Sequence, residues 1–167
     1  MGLLQLLLFG AKKVASPRRR RPIKPLPRIA ASDPHLTTIW QELRRSYFPD
    51  RPDIDAYRIV WSSRGQKRVL ATCFPTKHTV KVARELRDPT YAEWLAPLLY
   101  HEMCHAYLGV LAPANGRRRW HGPEFRALEK RHPDSVKLDR WIKSGGWSKA
   151  VRSDRSKRAA AKRRGPQ

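Results

Sequence analysis

An α+β fold, a small antiparallel sheet packed on one central helix with disordered basic termini, is predicted by three features of this 167-residue chain. Leu36, Ile39, Trp40, Leu43 and Phe48 recur at helical spacing, and residues 56–62, 68–74 and 79–82 then alternate apolar with polar side chains as half-buried strands do. The segment from Trp94 to Leu108 is apolar almost all round, as a helix running through the middle of a small domain must be. The arm over residues 16–28 and the tail over 148–167 are basic, and the arm is too poor in apolar residues to pack. The expected organisation is an N-terminal segment and arm over 1–31, one domain over 32–143 and a basic tail over 144–167.

Met1 to Phe9 is a short apolar run followed by Lys12 and Lys13. A secretory signal carries its charge before the apolar stretch, and a membrane span needs about 20 apolar residues, so the run is read as neither. Leu6 also misses the myristoylation pattern, and a docking helix, either on the domain itself or on a membrane surface with the following basic cluster, is the remaining reading. Arg18, Arg19, Arg20 and Arg21 follow, interleaved with Pro17, Pro22, Pro25 and Pro27; proline blocks helix, and the arm reads as a flexible phosphate binder.

Ser32 and Asp33 can cap the first helix, which Pro49 to Pro52 stops. A hairpin is expected about Ser63-Arg64-Gly65-Gln66, with a third strand at Thr79 to Val82 after the turn at Pro75 to His78. Asp88-Pro89-Thr90 introduces the central helix; Thr90 and Glu93 have the capping-box form, and Pro97 kinks the helix or marks its effective start. A loop over Gly109 to Trp120 carries Arg117, Arg118 and Arg119, and Pro123 opens a further helix that turns Phe125, Leu128 and Ala127 inward. Asp134 to Ile142 is amphipathic, with Trp141 packing on the domain, and Ser144-Gly145-Gly146 breaks it. Ser148 to Gln167 reads as a basic tail in which Lys149, Arg152, Arg155, Lys157, Arg158, Lys162, Arg163 and Arg164 contact phosphates. Trp147 is expected to pack rather than stack on bases.

A formal net charge of +22 and a pI near 11.2 exceed what solubility requires and point to polyanionic partners such as nucleic acid or an anionic membrane surface; the partner expected is DNA, single-stranded or bound without sequence preference. Only Cys73 and Cys104 are present, in no C-x-x-C pair, which suits a reducing setting: cytoplasmic, and nucleoid-associated in a bacterium. Cys104 sits at a buried-type helix position, as a small apolar residue.

Chemistry concentrates at His101-Glu102-Met103-Cys104-His105. Residues i and i+4 share a helix face, so His101 and His105 can offer two imidazole nitrogens to one metal ion with Glu102 beside it, the H-E-x-x-H arrangement of a zinc hydrolase. Burying these polar groups unpaired in so apolar a helix would cost a few kcal/mol, and a bound cation removes that cost.

The run His-Glu-Met-Cys-His-Ala-Tyr-Leu at 101–108, followed by His-Gly-Pro-Glu-Phe at 121–125, resembles the SprT-like domain family, which includes the Spartan DNA–protein crosslink proteases. The likeness extends over roughly 33–132 and implies a zincin-like domain. It makes His101, His105 and His121 the ligands of one catalytic zinc and Glu102 the general base. Three neutral imidazoles leave a fourth position for water, as catalytic zinc requires. Leu108 and Leu111 stand where the extended metzincin form needs glycine and histidine, and Glu124 is the weaker candidate for third ligand, since His121 holds the family's position. Tyr100 and Tyr107 are given core or rim roles ahead of oxyanion stabilisation, and His35, His78 and His132 are read as surface residues. No cysteine follows Cys104, so the C-terminal zinc ribbon of some relatives is missing.

The function expected is zinc-dependent metalloproteolysis of DNA-bound or DNA-crosslinked proteins by a monomer. The alternative is a non-proteolytic, zinc-containing nucleic-acid-binding or regulatory protein.

Overall fold

The computed structural model describes residues 31–109 and 121–165. The apolar run 1–9, the arm with Arg18–Arg21 and the Arg117–Arg119 cluster lie outside the described residues. Helix α1, Pro34–Tyr47, starts as its sequence requires: the Asp33 side chain accepts from Leu36 N at 3.2 Å, and Pro34 occupies the first turn, where a missing N–H does no harm. The other Asp33 oxygen accepts from Trp61 Nε1 at 2.9 Å, so a single carboxylate caps α1 and holds the end of strand β1. Leu36, Trp40 and Leu43 form the buried stripe, and Trp40 Nε1 donates to Ile54 O at 2.9 Å.

Strands β1 (Arg58–Trp61), β2 (Ala71–Phe74) and β3 (Thr79–Val82) form a three-stranded sheet in the order β1-β3-β2. This corrects the expected antiparallel sheet and its hairpin about residues 63–66. β1 and β2 do not pair; β3 lies between them, parallel to β1 and antiparallel to β2, so the sheet is mixed. The physical reason is burial. Val80 and Val82 are fully buried and suit a central strand, whereas β2 is half-buried throughout, as an edge is.

The expected Thr90–Glu93 capping box is also replaced. Asp88 accepts from both Thr90 N and Thr90 Oγ1, while Glu93 turns outward to Lys137 at 3.2 Å. Residues Pro89–Trp94 form 3₁₀ turns that lead into α2, Leu95–Leu108, with Pro97 in its first turn, so the proline marks the start. Helix α2 is the centre of the domain, packed on α1, on β2 and on the helices over Pro123–Glu129 and Ser135–Lys143, with Leu95, Leu98, Leu99, Tyr100, Met103 and Ala106 buried.

Helix α3 spans Pro123–Glu129, with Phe125 buried, Leu128 half-buried and Ala127 turned to solvent instead of inward. Helix α4, Ser135–Lys143, buries Leu138, and its Trp141 stacks on Trp94 with centroids 4.9 Å apart. Gly145 then takes φ 85°, a left-handed conformation that glycine adopts without strain.

The C-terminal segment is helical, which corrects the expected disordered tail. Gly146–Arg164 is helix α5, which buries Trp147 and Ala150 and packs Val151 against the core. Those three positions make an i, i+3, i+4 stripe, Trp147 Nε1 donates to Lys67 O at 3.2 Å, and Lys, Arg and Ala are good helix formers. No helix among the described residues is long and apolar enough to cross a membrane.

Candidate metal centre

One turn of α2 separates His101 from His105, so both present imidazoles toward α3, while His121 enters just before Gly122 caps that helix. Ligand nitrogens of the three histidines all lie within 4.8 Å of one another, and His105 Nε2 stands 3.2 Å from His121 Nε2. The buried Phe125 ring forms a common floor, its centroid 4.9, 4.4 and 4.7 Å from the rings of His101, His105 and His121. The three histidines can therefore hold a metal ion. Glu124 is exposed in the first turn of α3 and is not part of the cluster.

Electrostatics favours lone pairs over protons at two of the rings. Burial, with repulsion from His101 and His121, pushes His105 down to about 3. Burial and His101 also lower His121. His101 differs: burial pulls it down, but the hydrogen bond to Glu129 and nearby carboxylates outweigh that, and the net shift is upward.

Glu129, which sequence reasoning missed, accounts for that difference. Its Oε1 lies 2.6 Å from His101 Nδ1, and the same hydrogen bond holds Glu129 below the usual carboxylate range. A carboxylate on Nδ1 fixes the tautomer that leaves Nε2 as the coordinating atom. The signal available was Phe125-x-x-x-Glu129, which puts Glu129 one turn beyond an inward-facing aromatic. Replacing Glu129 with alanine should weaken zinc affinity about 10- to 100-fold, read by competition with a chromophoric chelator, with Glu129→Gln losing less because it keeps an acceptor. Unchanged affinity in Glu129→Ala would deny it this role.

Glu102 is only 5% exposed on α2. Burial pushes it up to about 7, against the lowering influence of His101 and of the Cys73 backbone amide on β2. Burial alone leaves Glu102 titrating near neutral pH, and a bound cation would draw it down toward the ionised form that a general base needs. The Cys73 amide could not be foreseen, because it depends on which strand forms the sheet edge beside α2.

The remaining candidates fall elsewhere. Tyr100 donates to Leu128 O at 2.8 Å inside the core, and Tyr107 packs on Phe48 beneath the Arg51 guanidinium, so both take core or rim roles. Cys104 is fully buried. His35 and His78 are exposed as expected, but His132 is not a surface residue: it is buried beside Tyr47 and Tyr100, and its Nδ1 accepts from Asp134 N at 3.2 Å. Lys157, Arg158, Lys162, Arg163 and Arg164 all lie on α5 and are not part of the histidine cluster.

The SprT-like family model matches residues 36–140, which takes in every residue of this centre. Searches of curated proteins and of solved structures return no match. A match over more than half of the 167 residues, with the three histidines brought together inside it, places the chain: it belongs to the SprT-like family.

Proposed function

We propose that the chain is a zinc-dependent metalloprotease of zincin-like fold that works on DNA, hydrolysing peptide bonds of DNA-bound or DNA-crosslinked proteins. The observation that carries the reading is a buried glutamate, Glu102, next to three convergent imidazoles. The family's association with metallopeptidase-like proteins supports it.

The residues fit zinc. Three imidazole nitrogens within 4.8 Å of one another, 3.2 Å apart for His105 and His121, are a donor set that zinc favours. Zinc held there by His101, His105 and His121 would supply Lewis acidity and bring the pKa of water toward neutrality. The chain's own contribution is proton traffic and orientation. Glu102 accepts the proton of the attacking water as its oxygen adds to the peptide carbonyl carbon, and returns it to the nitrogen as the C–N bond breaks. The Cys73 amide holds the Glu102 carboxylate in place, and Glu129 holds the His101 ring.

A purely structural zinc would be expected to complete four protein ligands, whereas the cluster among the described residues has three. The DNA half of the reading rests on the net charge of +22 and on α5, where eight cationic side chains accompany one carboxylate. The test is to incubate the zinc-loaded protein with a protein crosslinked to single-stranded DNA and with the same protein free. Zinc-dependent cleavage that is faster for the crosslinked form is expected; no cleavage of either, with zinc bound, ends the protease reading.

A further inference from the structure

Glu129 meets His101 across a 2.6 Å bond although neither side chain is shielded from water, 27% of His101 and 28% of Glu129 being exposed. Water competes for such a pair, and a long carboxylate side chain loses rotamer freedom when it is held on one partner. The geometry therefore depends on how firmly the backbone beneath Glu129 is fixed. Helix α3 does not fix it alone. It has seven residues, about two turns, and Glu129 is the last of them, where helical carbonyls find no partner further along the same helix.

Two hydroxyls from neighbouring helices complete that end. Tyr100 Oη donates to Leu128 O at 2.8 Å, and Ser135 Oγ donates to Glu129 O at 2.6 Å. Backbone amides of the following turn reach the same oxygens, Arg131 N to Leu128 O at 2.9 Å and His132 N to Glu129 O at 3.3 Å, so each carbonyl accepts from both a hydroxyl and an amide. Peptide units are planar, and Leu128 O and Glu129 O belong to the two units that meet at the Glu129 Cα. Holding both planes sets the backbone angles of Glu129 and with them the direction in which its side chain leaves. Tyr100 lies on α2 immediately before His101, and Ser135 opens α4. The Tyr100 ring is fully buried against Tyr47, Phe48 and His132, at centroid distances of 4.6, 5.9 and 5.1 Å, so the core holds the donor in place.

We propose that Tyr100 and Ser135 are positioning residues of the metal centre, whose hydroxyls clamp the backbone on either side of Glu129 and so keep its carboxylate on His101 Nδ1. Both act through Glu129 and not on the histidines themselves. With Nδ1 occupied by the carboxylate, Nε2 is the nitrogen left for the metal, and a carboxylate that drifts releases the ring to rotate or change tautomer. The core thus reaches the site by a route of three links: a buried phenol, the last turn of α3, and the ring of the first histidine. The inference rests on the zinc-binding part of the proposed function and not on its proteolytic or DNA-directed parts.

The test is a double-mutant cycle on zinc affinity in the full chain, read by competition with a chromophoric chelator, beside proton NMR of the metal-free protein. Tyr100→Phe and Ser135→Ala each remove one hydroxyl and leave the carbonyl its backbone donor, so neither buries an unpaired group. Each should weaken zinc binding about three- to tenfold, short of the roughly 10- to 100-fold expected when the Glu129 carboxylate itself is removed. In a Glu129→Ala background the same substitutions should change affinity by less than about twofold, because the group they position is gone. Ser135→Thr keeps the hydroxyl and should keep the parental affinity. Ser144→Ala, which removes a hydroxyl bond to Trp141 O at the other end of α4, should keep it too. In the metal-free protein the His101 Nδ1 proton, bonded to a carboxylate, should give a far-downfield resonance that moves upfield or broadens in Tyr100→Phe and Ser135→Ala. Equal losses of affinity with and without Glu129, or an Nδ1 proton unmoved by either substitution, would overturn the clamp. A parent chain that binds no zinc would remove the metal reading instead, and the Nδ1 proton of the metal-free protein would still decide whether the hydroxyls hold Glu129.

Discussion

Replacing Glu102 with glutamine should lower peptide hydrolysis about 10²- to 10⁴-fold, the range that a positioned general base contributes, with one zinc still bound per chain. Glutamine keeps the length and shape of the side chain, and its amide oxygen can still accept from the Cys73 amide, so the 5%-exposed site should not reorganise. It cannot take a proton from water. The result is a loss of kcat without a matching loss of zinc affinity or thermal stability, the signature of an interaction made in the transition state. Metal content by atomic absorption and the melting midpoint are measured beside the rate. Cleavage undiminished in Glu102→Gln would exclude Glu102 as the base, and loss of zinc in step with activity would make its role structural.

The parts of this molecule legible in its sequence are those set by contacts a few residues apart. Asp33 caps α1 because an aspartate before an apolar helical run has its oxygen within reach of the third helical amide. His101 and His105 share a face because helical periodicity allows nothing else, and His-Gly-Pro-Glu-Phe carries His121 to them through the family pattern. Strand order was not legible, since β3 inserts between β1 and β2 through long-range pairing that a turn-like Ser63–Gln66 does not reveal. Consecutive strands are usually neighbours, and here that expectation gives the wrong sheet. The C-terminal helix was hidden by its own composition: eight cations masked the Trp147, Ala150, Val151 stripe that docks it. Glu129 was not legible because its partner, His101, lies on another helix 28 residues away, and only the packing of α3 on α2 brings the last turn of α3 to it.

Stripping the metal should lower the thermal midpoint by about 5–20 °C. Zinc that binds only the folded chain stabilises it by about 2.7 kcal/mol at a free concentration one hundred times Kd, and each kcal/mol moves the midpoint of a domain of this size by about 2–8 °C. Glu129 draws His101 toward its protonated form, and a charge there disfavours charge on His105 and His121. A cation accepts lone pairs from both rings, whereas the metal-free pair can only share a proton between His105 Nε2 and His121 Nε2 across 3.2 Å. The control is His121→Ala, whose side chain is exposed and leaves the α2 core untouched. That variant should melt close to the stripped parent, and adding zinc should move it little. Differential scanning fluorimetry of both proteins, with chelator and then with zinc restored, separates the outcomes. A parent midpoint that does not respond to metal would mean that the three histidines are not a binding site; a full response in His121→Ala would mean that the third ligand is another residue.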